Sequence, residues 1–249
     1  GYCYVLQEYV ASPMLLGGRK FEMRQYLLLR GDGSAYTYER ALLRLASVQY
    51  ELSSADRRAH ITNKWVQTKW GTSNELCTLE QIEMVSTEWA QYGEVLGRSI
   101  VPLLQDLVDS LSPLLAAGRA RVPQSSSPFH FELFACDLIV SDQAQAKLME
   151  VNINPAFGTF TAATRERLIE PMFADLVKLL VLPAATGCSP RPGRFRCLRK
   201  ADDSCAAGVP SEASSKELQA HFAYVTFKKS HRKRYEQKVA ERPIKLSST

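Results

Sequence analysis

The sequence lacks the features that would place it in a membrane or among secreted, disulfide-bonded proteins. It has no run of about 18 apolar residues, so no transmembrane helix is expected. Its start shows no basic segment followed by an apolar one, so no signal peptide is predicted. The six cysteines stand singly, without a CxxC pair, which argues against a zinc site and a disulfide framework. We therefore expect reduced thiols and a cytoplasmic protein.

The motifs of several familiar enzyme classes are also missing. The sequence contains no P-loop, no GxSxG nucleophile elbow, no HExxH and no cysteine within a protease signature. A protein nucleophile is therefore not indicated. What the 249 residues do provide is 45% hydrophobic content, which is enough to bury one core, or one core with an appendage.

Positive charge is concentrated in the last quarter of the chain. Residues 188–249 hold 14 Lys and Arg against 6 Asp and Glu, a net charge of +8, whereas residues 1–187 hold 17 against 20, a net charge of −3. Residues 184–215 are rich in Gly, Pro, Ser and Arg, which predicts a flexible linker. Residues 216–249 then form a basic tail, for which we expect an acidic partner. Nucleic acid is the less favoured partner, because short basic runs are common.

The part before the linker, residues 1–183, has the pattern of an antiparallel sheet with packed helices. Alternating or apolar segments bounded by turn residues predict six strands, at residues 4–10, 20–30, 35–39, 44–50, 131–140 and 147–152. Residues 51–70 show no clear period and are predicted to be largely irregular.

Apolar residues at helical spacing predict two helices in the same region. The first includes residues 101–114 and is expected to stop near Gly118. The second covers residues 161–182 and is expected to end at Pro183, because proline interrupts helical hydrogen bonding. Together with the strands, these helices give an α+β fold.

Two carboxylates converge in the predicted hairpin of residues 131–152. If the loop closes symmetrically, Asp137 lies directly opposite Glu150, and Asn152 lies two residues further along the same face. Directly opposed side chains have Cβ atoms about 5 Å apart, and like charges there are destabilising. Mg²⁺ takes oxygen ligands of this kind, so the pattern predicts a magnesium site. A solvated hairpin that carries acids by chance is the alternative.

A second candidate site follows from the strand at residues 20–30. Lys20, Glu22 and Arg24 alternate along it and share one face. Two cations flanking an acid suit a phosphate-bearing ligand, with charge-assisted hydrogen bonds to its oxygens. A solvent-facing row of ion pairs would give the same pattern. Arg44 lies in the apolar run LLRLAS, and we expect it to meet a carboxylate, because an unpaired buried guanidinium is costly.

The loop His60-Ile61-Thr62-Asn63 presents an imidazole, a hydroxyl and a carboxamide close together. Such a loop can orient phosphate and metal-bound water. A simple turn with a left-handed asparagine explains the same residues.

Taken in order along the chain, the segments QEYV, RKFEMR, LLRLAS, HITN, FELFACDLIV and MEVNINP resemble the C-terminal half of the tubulin–tyrosine ligase domain. The resemblance covers residues 5–182. It implies the C-terminal subdomain of an ATP-grasp fold in residues 1–183, with the rest of the ATP cleft expected outside this sequence. The implied activity is ATP- and Mg²⁺-dependent ligation of a free amino acid to a tubulin tail through an acyl phosphate. Tyrosine is favoured over glutamate or glycine, and a cytoskeletal location is expected.

The resemblance also implies a role for each matching residue. Those roles are adenine contact for Gln7, Glu8, Tyr9 and Val10, ATP binding for Lys20, Glu22, Thr62 and Asn63, catalysis for Lys20 and Arg24, binding of the amino-acid carboxylate for Arg44, and magnesium ligation for Asp137, Glu150 and Asn152.

Two positions depart from the pattern of the family. Glu8 replaces the usual lysine beside the adenine, and Glu22 stands where aspartate is commoner, which moves the charge by one methylene and can shift catalytic geometry. Two alternatives to a ligase therefore remain. One is a pseudoenzyme that binds ATP or tubulin without ligation, and the other is a scaffold that acts through the basic tail.

Overall fold

The computed structural model describes residues 7–70, 95–119, 130–157 and 160–201. The chain divides into two compact units, Gly1–Gly208 and Val209–Thr249, and every described residue belongs to the first. The predicted basic tail, residues 216–249, lies outside the described residues.

Seven strands and four helices make up the described part of the chain. The strands are β1 (Leu15–Leu16), β2 (Arg19–Arg30), β3 (Ala35–Tyr38), β4 (Leu42–Leu45), β5 (Phe131–Val140), β6 (Ala146–Ile153) and β7 (Phe195–Arg199). Three of the helices are α1 (Arg57–His60), α2 (Lys64–Lys69) and α3 (Val101–Arg119, preceded by the π-helical turn Leu96–Ile100). None of these described helices is long and apolar enough to cross a membrane.

The fourth helix, α4, contains two π-helical turns, in which hydrogen bonds join residues five apart. It is made of Ala162–Thr164, the π turn Arg165–Ile169, Glu170–Leu176, the π turn Val177–Val181 and Leu182–Thr186.

Strand β2 is the centre of an antiparallel sheet with the order β6-β5-β2-β3-β7. The short strands β1 and β4 also pair with β2. Side chains alternate along β2, so each face of the strand contributes to a different core. Phe21, Met23 and Leu27 join a core that includes residues of α3, whereas Tyr26 and Leu28 join a core that includes residues of α4. The sheet is thus covered by apolar side chains on both faces, which is why β2 is almost continuously buried.

The sequence predictions for the chain before β5 are partly wrong. The expected strand at residues 4–10 is absent from residues 7–10, which have no regular structure and expose Gln7, Glu8 and Tyr9. In place of the strand expected at residues 44–50, the structure has β4 at Leu42–Leu45. The ladder between β4 and β2 ends after the Ala46 N–H donates to the Lys20 carbonyl, at 2.8 Å.

Residues 51–70, predicted to be largely irregular, contain the short helices α1 and α2 and are irregular between and around them. Helix α1 begins after Asp56, whose side chain accepts a hydrogen bond from the Arg58 N–H and so caps the first turn. Both helices are shorter than two full turns, so neither shows the apolar period by which a helix is recognised in sequence.

The prediction that Pro183 ends the last helix is wrong, and the π turns explain why. Pro102, Pro171 and Pro183 each lie in a helix two residues after a π turn ends. Proline has no N–H, so its place in a helix leaves a carbonyl without a donor. At Pro183, with the five-residue spacing of the preceding π turn, the carbonyl left without a helical donor is that of Lys178. It accepts a hydrogen bond from the Arg191 N–H instead, at 3.3 Å. The helix therefore continues to Gly187, whose φ of 69° permits a left-handed cap.

The predicted flexible linker, residues 184–215, is contradicted where β7 lies. Strand β7 pairs with β3, and its apolar residues Phe195 and Leu198 are buried in the two cores. Composition alone suggested a linker because these two residues stand among four arginines and a lysine. The sheet therefore extends beyond the predicted end of the folded part at residue 183.

Asp175 of α4 holds the turn that precedes β7. This buried carboxylate accepts hydrogen bonds from the Arg194 N–H at 3.2 Å, the Tyr38 hydroxyl at 3.4 Å and the Lys178 ammonium at 3.2 Å. Gly193 lies against the same carboxylate with φ of +55°, and a Cβ there would stand 2.3 Å from the Asp175 Cγ. Only glycine fits this position without displacing the carboxylate.

We predict that Gly193→Ala lowers the free energy of unfolding by about 3 kcal/mol or more, through left-handed strain and overpacking together. Gly187→Ala is the matched control, because it has a similar φ of +69° but nothing within 4 Å of the added Cβ. That control should cost only about 1–2 kcal/mol. Urea denaturation of the two variants measures both values. Equal losses would show that the contact with Asp175 does not restrict residue 193.

Candidate active site

A row of charged side chains crosses four neighbouring strands, from β4 through β2 and β5 to β6. Strand register places Glu22 opposite Arg44 across β2 and β4, and Arg24 opposite Asp137 across β2 and β5. Asp137 in turn lies opposite Glu150 across β5 and β6. Because the register is fixed by burial of the apolar residues on either side, these five side chains are brought together by the fold itself.

The predicted pairing of Asp137 with Glu150 is confirmed, although the hairpin reaches it by a different route. Val140 pairs with Ala146, so a regular ladder would place Met149 opposite Asp137. A register shift between Asp137 and Leu138 adds one residue to β6 and restores the pairing with Glu150.

Asp137 is held by two arginines. The Arg24 Nε donates to Oδ1 at 2.7 Å and its Nη2 donates to Oδ2 at 2.8 Å, a bidentate pair. The Arg44 Nη2 lies 2.8 Å from the same Oδ2 and 3.0 Å from the Glu22 Oε2. Arg44 therefore meets carboxylates, as the sequence predicts.

The contacts of Asp137 with the two arginines change the reason for expecting a metal ion beside it. Asp137 is 1% exposed, and burial alone would raise the pKa of its carboxyl group. The hydrogen bond from Arg24 and the charges of Arg44 and Arg24 outweigh burial and hold that pKa below its ordinary value. Repulsion between Asp137 and Glu150 is therefore relieved by arginines, and a metal ion is not required to relieve it.

The carboxamide of Asn152 joins the two acids of the hairpin. Its Nδ2 lies 3.2 Å from the Asp137 Oδ2 and 2.9 Å from the Glu150 Oε1. Within the described parts of the chain, no group of three or more His, Cys, Asp or Glu is placed to hold a metal ion. A carboxamide oxygen is also a magnesium ligand, and a half-turn of the amide would point that oxygen at both carboxylates. With the amide turned so, the three side chains would offer the oxygen atoms that a hard divalent cation takes, with Glu150 exposed to solvent.

Lys20 shares the face of β2 that carries Glu22 and Arg24, as predicted from their spacing. Its side chain is 4% exposed, and burial lowers the pKa of the ammonium, against an opposing effect of the Glu22 charge. The ammonium donates to the Tyr9 hydroxyl at 3.2 Å and lies 4.6 Å from the centre of the Tyr9 ring. A cation so placed is held by a hydrogen bond and by the ring face.

The other residues predicted to bind ATP, in the segments 7–10 and 62–63, are less closely connected to the charged row. The Thr62 hydroxyl is buried and has no hydrogen-bond partner. Asn63 accepts from the Val66 N–H at 3.2 Å and so caps the first turn of α2. It is not the left-handed asparagine considered for this loop, because its φ is not positive. Within the segment Gln7–Val10, Tyr9 contacts β2 through its hydrogen bond with Lys20.

His60 has a role that the sequence did not indicate. Its Nδ1 lies 2.8 Å from the Tyr9 hydroxyl, and its Nε2 lies 2.9 Å from the Ser54 carbonyl. The ring also meets the rings of Tyr9 and Tyr50 edge-on, at centroid distances of 5.9 and 5.6 Å. The motif HITN suggested that His60 orients phosphate, but in the structure its ring faces Tyr9, which is 51 residues away in the chain. No local pattern could have revealed that pairing.

Comparison with known proteins points to one family. The family model described as the tubulin-tyrosine ligase family matches residues 2–188. Relatives include a probable tubulin polyglutamylase of Mus musculus, 28% identical over 190 residues, and a probable tubulin–tyrosine ligase of Saccharomyces cerevisiae, 28% identical over 193 residues. A tubulin glycylase of Drosophila melanogaster is 25% identical over 188 residues. Each match covers 72% of this chain but only 34%, 24% and 18% of the relative, respectively.

Proposed function

The chain belongs to the tubulin-tyrosine ligase family, and from this membership we propose that it is part of an ATP-dependent ligase that joins a free amino acid to a tubulin tail. The single observation that carries the proposal is the charged row across four strands, in which Arg24 and Arg44 meet at Asp137 beside Glu150. This arrangement offers cations and oxygen ligands on one surface, as transfer of a phosphoryl group requires. A cytoskeletal location follows from the proposed acceptor.

The proposed reaction forms an amide in two displacements. An acceptor carboxylate oxygen attacks the γ-phosphorus of ATP, which forms an acyl phosphate and releases ADP. The amine of the free amino acid then attacks the acyl carbon, and the carbon–oxygen bond breaks to release inorganic phosphate. Neither step needs a nucleophile from the protein, in agreement with the missing nucleophile motifs.

The balance of charge in the site supports a divalent cation. Lys20, Arg24 and Arg44 carry three positive charges, and the carboxylates of Glu22, Asp137 and Glu150 carry three negative ones, so these six side chains sum to zero. A triphosphate added to a neutral cluster needs further positive charge. We propose that Asp137, Glu150 and Asn152 hold Mg²⁺, which when bound neutralises phosphate oxygens.

Lys20 and Arg24 are proposed to stabilise the charge on the transferred phosphoryl group. Lys20 is buried, and a charge removed from water interacts more strongly with a phosphate than an exposed one. Arg24 is fixed by its bidentate pair with Asp137, so its position requires little reorganisation during the reaction.

Three further contacts with the substrates are proposed. Arg44 is proposed to bind the carboxylate of the incoming amino acid, and its Nε–H is buried without a hydrogen-bond partner. The adenine is proposed to lie along the backbone of Gln7–Val10. Thr62 has a buried hydroxyl without a partner, which a bound nucleotide would satisfy, and Asn63 follows it.

Tyrosine remains the proposed amino acid on sequence grounds. The names of the relatives include ligases for tyrosine, polyglutamylases and glycylases, so they do not separate the three amino acids. A pseudoenzyme that binds ATP or tubulin is the second candidate. It is favoured by the two arginines that already occupy Asp137 and would compete with a metal ion there.

The test is incorporation of radiolabelled tyrosine, glutamate or glycine into tubulin by the full-length protein, with and without ATP and Mg²⁺. We expect tyrosine to be incorporated only when both are present. Incorporation of glutamate or glycine instead would overturn the tyrosine preference but support a ligase. ATP binding without incorporation of any of the three would overturn the ligase and support the pseudoenzyme.

A further inference from the structure

We propose that His60 and Tyr9 act as a relay that positions the ammonium of Lys20 toward its ligand. The identity of that ligand, the phosphates of ATP, rests on the proposed function. The relay itself rests on three contacts in series: Ser54 carbonyl to His60 Nε2 at 2.9 Å, His60 Nδ1 to Tyr9 hydroxyl at 2.8 Å, and Tyr9 hydroxyl to Lys20 Nζ at 3.2 Å.

The two ends of the relay fix two of its hydrogen-bond directions, and the third follows when the imidazole is neutral. A carbonyl only accepts, so the Nε2 of His60 must carry the proton that Ser54 receives. The Nδ1 of a neutral ring is then an acceptor, and the Tyr9 hydroxyl donates to it. With its proton directed at His60, the Tyr9 oxygen turns its lone pairs to Lys20, whose ammonium only donates. The Ser54 carbonyl therefore sets the orientation at Lys20 through two side chains.

The tyrosine keeps the proton that this arrangement requires. Desolvation of its hydroxyl, followed by the hydrogen bond and the charge of Tyr50, raises the pKa of Tyr9 well above its ordinary value, although much of the ring is exposed. The Tyr50 hydroxyl donates its own proton to the Ala11 carbonyl at 2.7 Å, so toward Tyr9 it can only accept, and it shares the Tyr9 proton with Nδ1 of His60. At neutral pH the relay therefore holds a neutral Tyr9 between the imidazole and the ammonium.

Tyr9 also limits where the ammonium can go. Lys20 lies 4.6 Å from the centre of the Tyr9 ring, so the tyrosine contacts it with both its oxygen and its ring. A lysine side chain has four rotatable bonds, and a partner that fixes its end reduces the entropy lost when a ligand binds. The relay links β2 to α1, because His60 is the last residue of that helix.

The experiment combines nitrogen NMR of the histidines with equilibrium ATP binding by the full-length protein. Tyr9→Phe keeps the ring but removes the hydroxyl, and we expect it to weaken ATP binding about tenfold. His60→Ala should weaken binding similarly, whereas His60→Asn can still accept from Tyr9 and should restore binding to within about threefold of wild type. Tyr36→Phe is the matched control, because Tyr36 lies on β3 opposite Leu28, away from the relay, and it should bind ATP like wild type.

In the NMR spectrum we expect His60 to carry its proton on Nε2, with the Nδ1 resonance moved in Tyr9→Phe and unmoved in Tyr36→Phe. A purely structural role for Tyr9 would not predict rescue by His60→Asn. A proton on Nδ1, or unchanged ATP binding in Tyr9→Phe, would overturn the relay. If wild-type protein does not bind ATP, the proposed function fails, while the expected Nε2 proton and its Tyr9-dependent Nδ1 shift would still support the relay.

Discussion

Glu150→Gln in the full-length protein is expected to reduce amide formation by about 100-fold or more, because it removes a charged metal ligand. The free energy of unfolding should stay within about 1 kcal/mol of wild type, because Glu150 is exposed and its contact with Asn152 is a surface hydrogen bond. Turnover is measured as phosphate release and amino-acid incorporation, and stability by urea denaturation. The substitution should thus lower activity while leaving stability nearly unchanged.

Glu132→Gln is the matched control for that experiment. Glu132 is a partly exposed acid on β5, paired with Leu29 and outside the charged row. It should leave both turnover and stability near wild type. If Glu150→Gln turns over like wild type, Glu150 does not ligate a required metal. If Glu150→Gln does not fold, the residue is structural and its assignment as a ligand is withdrawn.

Asp137→Asn is expected to lose stability as well, by about 3 kcal/mol at pH 7. The substitution removes the negative charge that Arg24 and Arg44 share in the interior, and leaves both guanidinium groups without it. Asp109→Ala is the control for an exposed pair, because Asp109 is 72% exposed and lies 4.0 Å from Arg199. That control should cost less than about 1 kcal/mol. Equal stability of Asp137→Asn and wild type would show that the arginines do not depend on Asp137.

The same variant gives a pH dependence with a definite sign. The pKa of Asp137 is lowered in the folded protein, so its stabilising contribution is present above the unfolded pKa, about 3.9. That contribution is lost as the pH falls through the lower folded pKa. The difference in stability between wild type and Asp137→Asn should therefore be constant from pH 7 to about pH 5 and shrink below about pH 4.

The pairing of Asp137 with Glu150 could be predicted because strands alternate and hairpins close locally. The prediction placed the loop one residue too long, and the register shift at Leu138 compensated for the error. The cross-strand pairing within the hairpin could thus be predicted from sequence. The bulge that sets this pairing could not, because no residue type is specific to such a bulge.

The partners of Asp137 show where sequence reasoning stops. Arg24 is 113 residues away, and its contact depends on the register between β2 and β5, which no local pattern encodes. The sequence predicted that Arg44 meets a carboxylate, since burial demands one, but could not say which. His60 and Tyr9 were missed as a pair for the same reason as Arg24. Strand β7 was missed because its two buried apolar residues lie in a basic, proline-containing segment typical of a linker.

The central claim is that amide formation proceeds through an acyl phosphate, and isotope transfer tests it most directly. The full-length protein is incubated with ATP, the amino acid and a tubulin-tail peptide whose carboxylates carry ¹⁸O. An acyl phosphate keeps one carboxylate oxygen on phosphorus when the amine attacks the acyl carbon. The account predicts one ¹⁸O in the released inorganic phosphate for every amide formed, read by mass spectrometry. Amide formed with phosphate that contains no ¹⁸O would contradict it.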